Sequence, residues 1–232
     1  GWDRERGKRQ ANPLSDNRMP SPLLVFDLDG TLVDTAHALI ATLNVVLAGE
    51  GLPTVEAAKA RHLVGAGMRP LLEAALKSRD AEVPATEVDA LYAVYIEHYR
   101  EHMVDLSRPF PGLEAALDRF AAAGWRFAVC TNKPQAMSEL MLDKLALAAR
   151  FDAVCGGDHF PVKKPHADHL LGTIAKAGGD PARAVMIGDS AADIDVAKNA
   201  GVPSVGVTFG YTPIPVRDLG PTVVIDHYDH LW

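Results

Sequence analysis

Cysteine is scarce in this chain: its 232 residues include two, Cys130 and Cys155, and neither stands in a C-x-x-C spacing. A cysteine metal site is therefore not expected, and a reducing cytoplasm is the expected compartment. Positive charge is also in deficit. Lys and Arg total 23 against 30 Asp and Glu, a net charge of -7, so the chain lacks the broad basic field that holds a nucleic-acid backbone. A small-molecule partner is expected instead. No apolar run approaches the roughly 18 residues of a bilayer span, and residues 1–18 lack the apolar stretch of a secretory signal, so no membrane partner is expected. Internal repeats and low-complexity tracts are absent, and the nine histidines form no ligand cluster.

What is present suits a folded enzyme-sized unit. Apolar residues make up 48% of the chain and charged residues 23%, enough for one large domain or for a core with a smaller insert. Residues 1–20 mix both charges without hydrophobic periodicity and read as a flexible tail, with Met19 as the natural start. Short apolar runs then recur at Leu23 to Phe26, Phe127 to Cys130, Ala153 to Cys155, Ala184 to Ile187, Ser204 to Val207 and Val223 to Ile225. Their length and β-branched content read as buried strands. Between them lie helical patterns such as Leu113, Ala116, Leu117 and Phe120, closed by Gly124. Alternating strand and helix predict an α/β fold with a Rossmann-like parallel sheet. Residues 36–105 break the alternation, because helical periodicity around Leu39 to Leu47, Leu71 to Leu76 and Val88 to Tyr99 is not interrupted by a strand. The expected division is a core of residues 21–35 and 106–232 with an α-helical cap of residues 36–105 inserted into it.

Four polar segments stand at the ends of these strands. Leu23 to Phe26 runs directly into Asp27, Leu28, Asp29, Gly30 and Thr31, and alternation points the two carboxylates the same way. Two anions at the edge of a core repel and lose hydration unless a cation or a catalytic role compensates. A turn is the bland alternative. A calcium loop fails, because its sixth position needs glycine and Leu32 stands there. The strand ending at Cys130 leads into Thr131, Asn132, Lys133 and Pro134, a helix start whose N–H groups suit a phosphate oxygen, although an ordinary N-cap looks the same. Pro165 restrains Lys164 to an extended backbone, and Lys163 beside it reads as a solvated surface residue. Ala184 to Ile187 ends in Gly188, Asp189 and Ser190, followed by Asp193. Each segment alone is weak. Together they set Asp27, Asp29, Thr131, Lys164, Asp189 and Asp193 where an open α/β sheet binds its ligand, just beyond the carboxyl ends of the strands. Oxygen ligands with one lysine and one hydroxyl fit a hard divalent ion and a phosphate.

These four segments, in this order and with a helical insert after the first, resemble the phosphatase branch of the haloacid dehalogenase superfamily over nearly the whole chain from Leu23 onward. The resemblance implies that Asp27 is the nucleophile, Asp29 the general acid and base, Lys164 the charge-balancing lysine, and Thr131 and Asn132 phosphate ligands. It implies a Mg2+ ion held by Asp27, Asp29 through its backbone carbonyl, and Asp189, with Asp193 as the second acidic residue of the last motif. Dehalogenases of the superfamily lack the acid at the Asp29 position. The cap segment from Leu63 to Leu72 resembles the corresponding loop of phosphoglycolate phosphatases, which implies 2-phosphoglycolate as substrate, with Arg69 on its carboxylate. Sugar-phosphate phosphatases and β-phosphoglucomutase-like phosphomutases share the same core and stay open. A phospho-accepting signalling module also forms an aspartyl-phosphate on such a sheet, but it needs neither the large cap nor an acid at Asp29.

Overall fold

The structure, a computed structural model, describes residues 19–78 and 82–232. The expected tail over residues 1–20 falls almost wholly outside the described residues. Six strands form a parallel sheet: β1 (Leu23–Phe26), β4 (Arg126–Cys130), β5 (Ala153–Cys155), β6 (Ala184–Gly188), β7 (Ser204–Val207) and β8 (Val223–Ile225), in the order β5-β4-β1-β6-β7-β8. All six are the runs that the sequence marks by apolar, β-branched content. A further two-stranded ribbon pairs β2 (Val33–Asp34) with β3 (Arg108–Pro109) antiparallel. Its strands of two residues are too short to leave a periodic signal.

Side-chain alternation divides β1 between two cores. Leu24 and Phe26 face the larger cluster, where Phe26 meets Phe127 edge-on at 6.3 Å between ring centroids. Leu23 and Val25 face the other side with Leu170 and Ile174 of α7 (Ala167–Lys176) and Val196 and Ala197 of α8 (Ala191–Ala200). Helices α5 (Leu113–Ala122) and α6 (Gln135–Lys144) contribute Leu113, Leu117, Met137 and Met141 to the larger cluster. Helices on both faces bury β1 completely, which is why its sequence reads as an unbroken apolar run.

Between β2 and β3 the chain forms α1 (Ala36–Gly49), α2 (Ala57–Val64), α3 (Met68–Lys77) and α4 (Ala85–His102), with no strand among the described residues of that stretch. Helix α1 buries Leu39, Ile40, Leu43, Val46 and Leu47; burying each such side chain fully stabilises the fold by about 1.5–3 kcal/mol. The Tyr95 hydroxyl donates to the Leu39 carbonyl at 2.7 Å, joining α4 to α1. Helix α2 has no strong sequence signal because it buries only Ala60 and Val64. No helix among the described residues is long and apolar enough to cross a membrane.

Register sets the site. Phe26 lies opposite Val129 on one side and Ile187 on the other, so Asp27, Cys130 and Gly188 are level. The next residues of the flanking strands, Thr131 and Asp189, emerge beside Asp27 at the point where successive strands diverge to opposite sides of β1. Such a switch point opens a crevice at the carboxyl edge of the sheet.

Candidate active site

Asp27 continues β1, its backbone N–H donating to the Ile187 carbonyl at 2.9 Å. Its Oδ1 accepts from Lys164 Nζ at 3.0 Å, and the same ammonium donates to Asp193 Oδ1 at 2.6 Å and to the Cys130 carbonyl at 2.9 Å. Lys164 is buried with its anions. Burial alone would lower its pKa, but Asp193 and Asp27 outweigh it and hold the ammonium charged. Asp189 accepts from the Thr31 hydroxyl at 3.0 Å and from the Tyr211 backbone N–H at 2.7 Å. Asp193 turns its Oδ2 to the N–H groups of Asp189 and Ser190 and to the Ser190 hydroxyl, each at 3.0 Å, at the start of α8. Asp193 thus braces the loop that carries Asp189. Gly30 permits the close fit, with φ +81 and a position where a Cβ would lie 2.5 Å from Asp189 Oδ2.

Carboxylate oxygens of Asp27, Asp189 and Asp193 all lie within 4.8 Å of one another. One lysine cannot neutralise three buried carboxylates. Burial, then the like charge of Asp193, pushes Asp27 up to about 7 from an ordinary 3.8, against the pull of Lys164. Asp189 is likewise raised, by burial first and then by Asp193 and Asp27. An all-oxygen, anion-rich donor set of this kind fits a hard divalent cation.

Asp29 leaves the same turn but meets different partners. Its Oδ1 accepts from the Thr35 hydroxyl at 2.8 Å, and Lys133 Nζ spans both carboxylate oxygens at 3.1 and 3.2 Å. Lys133 also donates to the Tyr99 hydroxyl at 3.0 Å, on cap helix α4. Burial would lower the Lys133 pKa, but Asp29 and Tyr99 reverse the sign and raise it. Nothing in the sequence pattern marks Lys133, because its partners lie 104 and 34 residues away.

A cavity of about 530 Å3 lies between sheet edge and cap. Asp27, Asp29, Thr131, Asn132, Lys164 and Asp189 line it from the core, and Val64 to Pro70 with Leu39 and Tyr92 line it from the cap. Of the side chains singled out from the strand ends, all but Asp193 line this cavity together with Arg69, and Asp193 joins them through Lys164. Their surroundings differ in detail from the sequence reading. Asn132 brackets Lys164, donating to its carbonyl and accepting from its N–H, both at 3.0 Å. The Thr131 hydroxyl accepts from the Lys133 N–H at 3.1 Å. Pro134 is the N-cap of α6, just before its first turn, and the Gln135 N–H donates to Asp158 at 2.7 Å, so that helix start is not wholly free for phosphate. Arg69, in the first turn of α3, pairs with Glu73 at 3.1 Å and Asp89 at 2.5 Å and lies over the Tyr92 ring.

Tyr211 joins cap, hinge and site. Its hydroxyl accepts from the N–H groups of Thr35 and Ala36 at 2.8 and 3.1 Å and donates to Asp34, while its own N–H holds Asp189. The turn after α2 rests on it so closely that a Cβ on Gly65 would stand 2.1 Å from the Tyr211 carbonyl oxygen. Sequence patterning carries no trace of this residue's role, since the contacts of its hydroxyl span more than 170 positions.

The haloacid dehalogenase-like hydrolase family model matches residues 24–207. A protein from Agrobacterium fabrum named phosphoglycolate phosphatase is 49% identical over 91% of this chain and 91% of its own length. One from Pseudomonas aeruginosa named N-acetylmuramic acid 6-phosphate phosphatase is 34% identical over 90% of this chain and 92% of its own. Among solved structures, a predicted phosphoglycolate phosphatase from Haemophilus somnus superimposes with a TM-score of 0.84 at 29% identity, covering 91% of this chain and 96% of that one.

Proposed function

The chain belongs to the haloacid dehalogenase-like hydrolases, and from that premise we propose that it hydrolyses 2-phosphoglycolate through an aspartyl-phosphate on Asp27. The observation that carries the reading is the buried Asp27 carboxylate, 3.0 Å from Lys164, which lines the capped cavity with Asp189 and lies within 4.8 Å of a carboxylate oxygen of Asp193. Relatives named for phosphoglycolate at 45–49% identity support the substrate. We take residues 36–105 as the cap and residues 21–35 with 106–232 as the catalytic core. Two buried free thiols, Cys130 and Cys155, and a small soluble ester support a cytoplasmic enzyme.

In the first step an Asp27 oxygen attacks phosphorus, the ester P–O bond breaks, and Asp29 gives its proton to the departing alkoxide. In the second, Asp29 takes a proton from water as that water attacks the acyl phosphate, releasing phosphate and restoring Asp27. Lys164 offsets the negative charge that gathers around Asp27 as the phosphoryl group approaches. Thr131 faces the phosphoryl group, and Asn132 acts by holding Lys164. Asp27, the Asp29 carbonyl and Asp189 would hold Mg2+, which when bound supplies further neutralisation of phosphoryl oxygens. Asp193 supports this set by its bonds to Lys164 and to the Asp189 loop.

Arg69 is the cation for the substrate carboxylate. Its pairs with Glu73 and Asp89 are exposed and screened by solvent, so a substrate carboxylate in the closed site can take their place through a charge-assisted hydrogen bond. A second reading, a sugar-phosphate phosphatase, is favoured by the Pseudomonas aeruginosa relative. The two are separated by kcat/KM: 2-phosphoglycolate is expected to exceed N-acetylmuramic acid 6-phosphate and glucose 6-phosphate, with Arg69→Ala removing most of the margin. Equal or better turnover of either sugar phosphate rejects the substrate and leaves the phosphatase chemistry standing.

A further inference from the structure

We infer that Lys133 is a positioning residue that fixes the Asp29 carboxylate and ties it to cap helix α4 through Tyr99. The inference deepens the proposed function and rests on its reading of Asp29 as acid and base. Asp29 has to reach the leaving oxygen in one step and the attacking water in the next, so its carboxylate needs one defined place. The Thr35 hydroxyl reaches a single oxygen of it. Lys133 reaches both, at 3.1 and 3.2 Å, from a stem with little freedom. The Lys133 N–H is held by Thr131 Oγ1 at 3.1 Å, its carbonyl accepts from the Gly157 N–H at 2.9 Å, and its side chain is 3% exposed.

An ammonium buried to that degree needs fixed partners. One partner is Asp29 and the other is the Tyr99 hydroxyl at 3.0 Å, with the ring centroid 4.6 Å from Nζ. Tyr99 is fully buried on α4, so the second anchor belongs to the cap. The cation is thereby the one direct side-chain link, among the described residues, between Asp29 and the inserted helices beyond the hinge residue Thr35. The side-chain hydrogen bonds of Asn132 and Arg69 go elsewhere, to Lys164 and to Glu73 and Asp89.

The test compares Lys133→Met, Tyr99→Phe and Asp29→Asn in the full chain with magnesium. The probes are 2-phosphoglycolate, glucose 6-phosphate as a second alkyl ester, and p-nitrophenyl phosphate, whose leaving group departs without a proton. Lys133→Met is expected to lower kcat for the faster alkyl ester by about 100-fold, with KM within about threefold, because a misplaced acid and base loses its share of the rate. With p-nitrophenyl phosphate it is expected to keep a rapid burst of nitrophenolate before a slow steady state, since only the hydrolysis of the acyl phosphate then waits on Asp29. Tyr99→Phe, which keeps the ion pair, is expected to lose about three- to tenfold in kcat and to keep the burst. A kcat within threefold of wild type in Lys133→Met overturns the inference. So does a tenfold rise in KM at unchanged kcat, which makes Lys133 a substrate ligand, or loss of the burst, which makes the lesion a structural one at Asp27. If Lys133→Met shows no cooperative melting transition, Lys133→Gln takes its place under the same criteria. Asp29→Asn separates the two levels: low alkyl-ester turnover with a burst supports the acid and base reading, whereas wild-type turnover overturns that reading and the inference with it.

Discussion

Asp27→Asn is expected to destroy activity and, in the metal-free protein, to raise stability. The carboxylate is pushed up to about 7 from 3.8, by burial first and by Asp193 second. Between those two values the folded chain binds a proton at Asp27 that the unfolded chain has released. Wild-type stability therefore falls as pH rises across that window, and above about pH 7 the loss from this group reaches about 4 kcal/mol. Asparagine keeps the shape and removes the charge, so the gap between variant and wild type should open from near zero at pH 4 to its full value by pH 8. In urea with chelator, at an m value of about 2–3 kcal/mol/M, that corresponds to a midpoint about 1–2 M higher for the variant. Magnesium should narrow the gap, because ligand binding stabilises wild type by about 2.7 kcal/mol at 100 times Kd and the variant has one carboxylate fewer to offer. Turnover in magnesium should fall by on the order of 10³ or more, since no neighbour can form the acyl phosphate. Chelated Asp27→Asn no more stable than wild type at pH 8 would refute the charge-cluster argument, and retention of a tenth of wild-type activity would refute the nucleophile.

Other expectations follow from contacts away from the nucleophile. His169, which accepts from the Lys164 N–H at 2.9 Å through Nδ1 and faces the Cys155 carbonyl through Nε2, is lowered to about 4 from 6.5, by burial first. Here the unfolded chain takes the proton first, so stability should drop by about 3 kcal/mol as pH falls from about 6.5 to 4; His169→Gln with an unchanged acid limb in urea titrations would refute this. Gly65→Ala places a Cβ against the Tyr211 carbonyl, and the turn after α2 has to lift. A loss of about 1–3 kcal/mol is expected, with a fall of about tenfold in kcat/KM as the cap loses its seat; activity and melting temperature equal to wild type would show that the cap does not rest there in solution.

The sheet was legible because burial on both faces writes itself into composition: β1 and β6 are apolar throughout, and each polar residue that ends a strand stands out against that run. The same contrast picked out Asp27, Thr131 and Asp189. Lys133, Tyr99 and Tyr211 carry no such contrast. A lysine in a loop and a tyrosine on a helix are common, and what distinguishes these is who faces them, which only the topology decides. Helix α2 escaped notice for a related reason, since two buried residues in eight make no periodic stripe. Arg69 shows the converse. Its candidacy came from the resemblance of the Leu63 to Leu72 loop, whereas its pairing with Asp89, 20 residues on, leaves no trace in the sequence.

The two-residue ribbon of β2 and β3 has a consequence for how such a chain diversifies. Val33 pairs with Pro109 and Asp34 with Arg108, so the points where the chain leaves and rejoins the sheet are neighbours, whatever lies between them. The entropic cost of closing a longer excursion grows only by about 0.6 kcal/mol per doubling of its length. Whole helices can thus be gained, lost or exchanged above the sheet without shifting the register that aligns Asp27 with its flanking strands. The ribbon is a junction of that kind: the helices above it can vary in number and length while the alignment of Asp27 with Thr131 and Asp189 stays as it is.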